Sequence, residues 1–286
     1  MATPWRRKAG FSLSNSDSIG SGEFFTMEEK RTTKKLSITT ESGRYFLTDR
    51  IREEVNFRAT PQSRGVRPPP VQKPVPPGSR VIPLPNQETW SIPSCNLKKA
   101  IADRQSHRRF MTEPLSLDEL AFLLWATQGV RSVLHEAAVL RTVPSAGCRH
   151  SFETYLAVLR VEGLESGIYR YLPLDHSIVH VRDIENLPGS LAAATHGQDF
   201  TGQSAVTFIW AAVPERTEWR YAEASYKVIA LDAGHVCQNL YLACEAIGAG
   251  ACAIAAYNQT LVDALLGVDG YDEFGIYMAP VGKVDK

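Results

Sequence analysis

The sequence predicts an α+β domain, a central sheet with helices packed around it. Three observations carry this. Strand-like and helix-like patterns follow one another without the regular alternation of a βαβ chain. Residues 205–213, AVTFIWAAV, form a continuous apolar run without charge, which fits a strand buried on both faces. Within 219–248, the stretch 231–247 is apolar on most sides and rich in Ala, Gly and Cys, which predicts one long buried helix or two. Its small residues allow close helix approach, as at a subunit interface.

The elements follow in order. Residues 1–26, Ser/Gly-rich and ending near GSGEF, read as a tag-like or disordered tail, with Met27 a candidate native start. Residues 27–89 form a polar, then proline-rich, N-terminal arm with a strand or short helix around 45–55. Eight of the 17 prolines fall in 67–86, which predicts an extended polyproline arm. Such an arm lies on its own domain or offers a PxxP segment to a reader. The body spans 90–286. Leu97–Asp103 reads as a short helix, and Leu117–Gln128 as a helix with an S-x-x-E capping box, Ser116 and Glu119. Residues 134–141 are ambiguous. Residues 152–161 and 167–172 read as strands joined by a GLES turn, with 177–182 as the next partner. Residues 187–196 and 199–203 are helical or irregular. After the long helix come a buried strand at 251–257, a short helix at 258–266 and a last strand at 275–281.

Composition excludes several classes. The 44% apolar content is that of a globular chain, and the longest uncharged apolar run, 246–257, is too short to span a bilayer. No secretory signal core follows the basic start, and five cysteines without a CxxC pair point to reduced thiols in a cytoplasmic setting. No metal site is expected, since there is no HExxH and no His at ligand spacing from a cysteine pair. Net charge is zero, but residues 1–80 hold 15 basic and 8 acidic residues. A basic arm on an acidic body binds nucleic acid or a membrane surface, or packs on its own body. The scatter of its charges favours the last.

The chemistry-bearing stretch is Arg104–Arg109, with three arginines, a histidine and a serine in six residues. In an extended chain Arg104, Ser106 and Arg108 point to one side. Two guanidinium forks and a hydroxyl on one face suit a phosphate; the bland reading is a solvated basic loop. A second stretch, RTVPSAG at 141–147, runs into the strand at 152.

With RQSHR at 104–108, GIYRY at 167–171, LDAGHVCQNLYLACEAIGAGACAI at 231–254 and VGK at 281–283, residues 90–286 resemble the nitroreductase-like flavoprotein superfamily. The resemblance is strongest to its SagB-type dehydrogenase branch. It implies a mostly antiparallel sheet flanked by helices, and a homodimer with flavin mononucleotide (FMN) at the interface, the long small-residue helix lying there. It also implies NADH or NADPH as reductant. Carried over, Arg104 and Arg108 hold phosphate or ribityl oxygens, Ser106 donates a hydrogen bond and Gln105 reaches ring or ribityl. His107 and Arg109 point the other way. Pro144, Ser145, Ala146 and Gly147 lie against the flavin; Gly250, Ala251, Ile254 and Ala255 pass its other edge; Lys283 is a late phosphate ligand.

Two departures bear on the substrate. Cys148-Arg149-His150-Ser151 stands where the family often has an aromatic and a proline. Arg220-Tyr221 stands where SagB-type azoline oxidases have Lys-Tyr, and arginine is a poor general base. Tyr221 and Arg220 are therefore the catalytic candidates, with Tyr221 an acid or a packing residue. Asp232 and His235, at i and i+3, are expected to cap and pack the helix start. The expected activity is hydride passage from NAD(P)H through FMN to an electrophile such as a nitroaromatic or quinone. The alternatives are an azoline or thiazoline dehydrogenase acting on a modified peptide, and a flavin- or peptide-binding module without turnover. The substrate is thus a small molecule or a peptide, with no membrane partner and nucleic acid disfavoured.

Overall fold

The computed structural model describes residues 38–285, so the tail assigned to 1–26 and the first part of the arm lie outside the described residues. Thr40–Lys286 forms one compact unit, which includes arm residues 40–89 with the body. The helices are α1 (Thr40–Leu47), α2 (Ile51–Glu54), α3 (Leu97–Asp103), α4 (Leu117–Gln128), α5 (Leu187–Ala194), α6 (Glu215–Tyr221), α7 (Ser225–Ala246) and α8 (Gln259–Leu266). The strands are β1 (Val81–Pro83), β2 (Val130–His135), β3 (Ala138–Arg141), β4 (Phe152–Val158), β5 (Gly167–Leu172), β6 (Ser177–Arg182), β7 (Val206–Ala212), β8 (Ala249–Ala251) and β9 (Phe274–Lys283). Seven strands form one sheet in the order β1-β6-β5-β4-β7-β9-β8, every neighbouring pair antiparallel, and β2 pairs with β3 alone.

The fold is the expected α+β, with helices on both sides of the sheet. Alternate residues of β4 and β7 go to opposite cores. Leu156, Val158, Phe208 and Trp210 pack with Leu120 and Leu124 of α4 and Val236 and Leu240 of α7. Tyr155, Ala157, Ile209 and Ala211 pack with Leu187 and Leu191 of α5 and Val262 and Leu266 of α8. This is why AVTFIWAAV carries no polar alternation: both pleat faces are covered. The α4 capping box is present, with the Glu119 amide donating to Ser116 Oγ at 3.2 Å and the Ser116 amide to Glu119 Oε2 at 2.9 Å.

The structure settles several elements that the sequence left open and changes others. The ambiguous 134–141 is half of the β2–β3 hairpin. The stretch around 45–55 is helical. The strand expected at 251–257 is the short β8 ending at Ala251, followed by a lone bridge of Ile254 to Met278; Ala255 and Ala256 are exposed. The long helix is two, broken at Ala222, whose φ of 45° lies where side chains crowd the backbone. Nor is α7 buried all round. Ala233, Val236, Leu240 and Cys244 are buried, whereas Leu231 is 54% exposed, and Gly234, His235 and Gln238 are exposed beside it.

The proline-rich arm is fastened by arginines. Prolines remove N–H donors, and an extended chain makes no internal bonds, so its carbonyls need outside partners. Four buried guanidiniums supply them: Arg149 donates to Pro69 O (3.3 Å), Arg216 to Pro70 O (2.8 Å), Arg141 to Val71 O (2.9 Å), and Arg170 to Lys73 O and Pro74 O (2.8 and 2.9 Å). Arg216 and Arg170 also pair with buried Glu153, which accepts the Lys73 amide at 2.8 Å. Burial works to raise the Glu153 carboxyl, but the Arg216 and Arg170 guanidiniums together outweigh it and hold it below the usual range.

Buried His150 lies in the same region, its Nε2 donating to the Val139 carbonyl at 2.8 Å. Burial, aided by Arg141, pushes its imidazole down to about 3. The folded chain therefore holds His150 neutral while the unfolded chain protonates near pH 6.5. The unfolded state binds more protons below that pH, so stability falls as pH drops from about 6.5 toward 3. Between pH 6.5 and 5 the loss from this residue is ~2 kcal/mol. His150→Gln, which retains a donor for Val139, is expected to flatten the urea midpoint across that window. An unchanged slope would assign the effect to His176, which burial also lowers.

Candidate functional site

Leaving α3, the chain runs beside β8. The His107 amide donates to the Ala251 carbonyl and the Met111 amide to the Lys283 carbonyl, both at 2.9 Å, and Ser106 bridges Ala251 in parallel. This extended course delivers the alternation. The Arg104 guanidinium sits 5.3 Å from the Tyr241 ring centroid, and Ser106 Oγ is 2.9 Å from Tyr241 Oη. The Ala253 amide donates to that same Oη at 2.8 Å. Arg108 lies 6.0 Å from the Phe200 ring; burial raises the Cys252 thiol, and nearby Arg108 only partly opposes it. His107 turns the other way: a Cβ on Gly250 would come 2.5 Å from its ring. Gly250 is thus required by the packed imidazole. Neither Arg104 nor Arg108 forms an ion pair among the described residues; Arg108 and Ser106 are exposed and Arg104 is half-buried, with the Ser106 hydroxyl held by Tyr241. That arrangement fits a phosphate.

The second part of the site is the turn at 144–150. Pro144 is exposed. The Ala146 amide donates to the Asp232 carboxylate (3.1 and 3.3 Å), Ser145 hydrogen-bonds the same carboxylate, and the His150 amide donates to Ser145 Oγ at 3.0 Å. Burial raises the Asp232 carboxyl, opposed by these bonds to Ser145 and Ala146. Asp232 therefore holds the turn from α7 instead of capping its own helix, although His235 Nδ1 does lie 3.8 Å from it. Gly147 has φ 59°, Cys148 56° and His150 47°, and Ala222 follows in the facing joint at 45°. Such backbone costs ~1–3 kcal/mol for each non-glycine residue and gathers at functional sites. A Cβ on Gly147 would fall 2.8 Å from both Tyr221 Oη and Arg220 Cδ, so the turn lies directly on the two catalytic candidates. The Arg220 guanidinium is 5.6 Å from the Tyr221 ring.

Both parts hang from α7. Asp232 and Tyr241 flank its exposed face, nine residues apart, ~14 Å along the axis. The other predicted residues are less united. Ala251 is in β8 and Ala255 is exposed. Ile254 is main-chain bonded to Met278 and its side chain belongs to the α5–α8 core. The Lys283 ammonium pairs with Glu119 and donates to the Ile247 carbonyl at 2.8 Å. Gln105 is exposed beside the arginines. Sequence reasoning missed Tyr241, Asp232 as turn holder, and Phe200. Only their approach in space marks them; 135 residues separate Ser106 from Tyr241.

The sequence model of the nitroreductase family matches residues 101–283. The chain belongs to the nitroreductase family. A Methanocaldococcus jannaschii protein assigned as a nitroreductase is 33% identical over 192 residues, 67% of this chain and 93% of the relative. A nitroreductase-fold structure from Ralstonia eutropha JMP134 superposes with TM-score 0.60 at 27% identity, covering 77% of this chain and 95% of that one. The trifolitoxin-processing protein TfxB of Rhizobium leguminosarum bv. trifolii is 29% identical over 170 residues, 56% of this chain and 45% of TfxB. This nitroreductase-family chain is accordingly an oxidoreductase of the flavin type. Among its described residues no helix is long and apolar enough to cross a membrane.

Proposed function

We propose that this nitroreductase-family chain is an FMN-dependent oxidoreductase that moves a hydride from NADH or NADPH to an electrophilic acceptor such as a nitroaromatic or quinone. The observation that carries the reading is the pair of arginines without carboxylate partners among the described residues, set with Ser106 on Tyr241. Arg104 and Arg108 would hold the phosphate, with Ser106 and Gln105 on the ribityl chain. Pro144, Ser145, Ala146 and Gly147 would present small side chains and backbone N–H groups to the ring. Gly250, Ala251, Ile254 and Ala255 would form the opposite edge, and Lys283 would add charge once released from Glu119. FMN, when bound, supplies the hydride chemistry; the chain's part is to orient it and limit access.

The exposed face of α7, Leu231, Gly234, His235 and Gln238, would be covered in a homodimer, along with a cavity of about 740 Å³ among α3, α4 and α7. Dehydrogenation of a modified peptide is the second reading. Tyr221 against Gly147 and the likeness to a trifolitoxin-processing protein support it, whereas Arg220 in place of lysine weakens it.

The test is an absorption spectrum of the pure protein followed by anaerobic NADPH. A flavin band that bleaches is the expected result. A band that bleaches only with an azoline peptide selects the second reading. Flavin without turnover on any acceptor selects a binding module, and no flavin uptake at all removes the proposal.

A further inference from the structure

We propose that the cleft between residues 52–63 and the Arg220–Tyr221 pair is an acceptor subsite for a flat unsaturated molecule bearing a carboxylate; this rests on the turn 144–147 facing the flavin. The cleft has a volume of about 350 Å³ and is lined by Arg52, Phe57, Thr60, Gln62, Arg220 and Tyr221 among others. That is the scale of a small-ligand site. Its one side is arm, its other the end of α6.

The charges in it are unequal. Arg52 is already paired with Asp49 at 2.8 Å and lies 5.8 Å from the Phe57 ring. Arg220 is exposed, rests on Tyr221 and makes no ion pair among the described residues. Thr60 and Ser63 spend their hydroxyls on each other and on the Phe57 carbonyl, at 2.6–3.2 Å. The cleft therefore offers one guanidinium, Arg220, without an ion-pair partner among the described residues, and two aromatic rings, Phe57 and Tyr221, in its lining. A planar body meets the rings, and a carboxylate meets the fork. Its position is fixed from both walls: the Gln62 amide donates to the Trp219 carbonyl at 2.9 Å, and Trp219 Nε1 to the Val66 carbonyl at 2.8 Å. Gly147 brings the turn onto Tyr221 at the cleft's edge, so a molecule seated there lies beside the proposed flavin face. The N-terminal arm would thus select the acceptor, a role outside residues 90–286.

The experiment is titration of 4-nitrobenzoate and of nitrobenzene into the full chain, read by ligand-observed NMR, with flavin content measured on the same samples. Arg220→Gln is expected to weaken 4-nitrobenzoate about 10-fold and nitrobenzene less than 2-fold. Arg220→Lys should restore part of the loss, and Phe57→Ala should weaken both probes. Equal effects of Arg220→Gln on the two probes, no effect of Phe57→Ala, or no binding of 4-nitrobenzoate to the wild type overturns the subsite. Flavin absent with discrimination intact would sink the flavin reading instead and leave the subsite standing.

Discussion

The Arg104→Ala/Arg108→Ala double variant is expected to bind FMN at least ~100-fold more weakly than the wild type, with little change in melting temperature. A hydrogen bond to a charged group contributes about 1.5–3 kcal/mol, and two such losses exceed ~3 kcal/mol, with tenfold for each 1.4 kcal/mol. The fold should tolerate the change because both side chains are at the surface and neither neutralises a buried acid. What the fold loses is chiefly the contact of Arg104 with Tyr241, worth about 0.5–1 kcal/mol at an exposed site. Quenching of FMN fluorescence on titration measures the affinity. A loss below about 5-fold would place the phosphate elsewhere. Arg→Lys at both positions keeps charge but not the fork, so intermediate affinity is expected.

Glu153→Gln is expected to do the reverse, unsettling the fold before any ligand is considered. Glu153 is 3% exposed and lies between Arg170 and Arg216, themselves 3% and 1% exposed. Neutralising it leaves two guanidiniums buried without an anion, at a cost of about 3–5 kcal/mol. A whole domain holds only about 5–15 kcal/mol. The same carboxylate accepts the Lys73 amide, and both arginines hold arm carbonyls, so the arm should loosen first. Urea denaturation should show a much lower midpoint, and limited proteolysis should cut within 64–80 early. An unchanged midpoint would mean that water or a neighbouring acid compensates the pair.

The sequence by itself determined much of the core. The charge-free run 205–213 required cover on both faces, and β7 has it. The S-x-x-E box fixed the start of α4, and the strands from 152 to 182 form the antiparallel meander that their alternation and short turns predict. These features are local: each depends on neighbours within a few residues. The alternation of Arg104, Ser106 and Arg108 was legible for the same reason.

Tertiary structure decided the rest. The stretch 251–257 has the composition of a buried strand, yet regular pairing stops at Ala251, and after main-chain bonds from Cys252 and Ile254 to β9 the chain turns outward at Ala255. The long helix reads as apolar on most sides and therefore buried, yet the body covers one side and leaves Leu231 and Gly234 exposed. Proline density marked the arm as extended, but not that buried Arg141, Arg149, Arg170 and Arg216 would meet its carbonyls. Tyr241 beneath Arg104 and Ser106, Asp232 beneath the turn, and Gly147 against Tyr221 join segments far apart in the chain. Periodicity and propensity report what a residue does to its own few neighbours. Which distant surfaces then satisfy an unpaired carbonyl, carboxylate or guanidinium is settled only when the whole chain is packed.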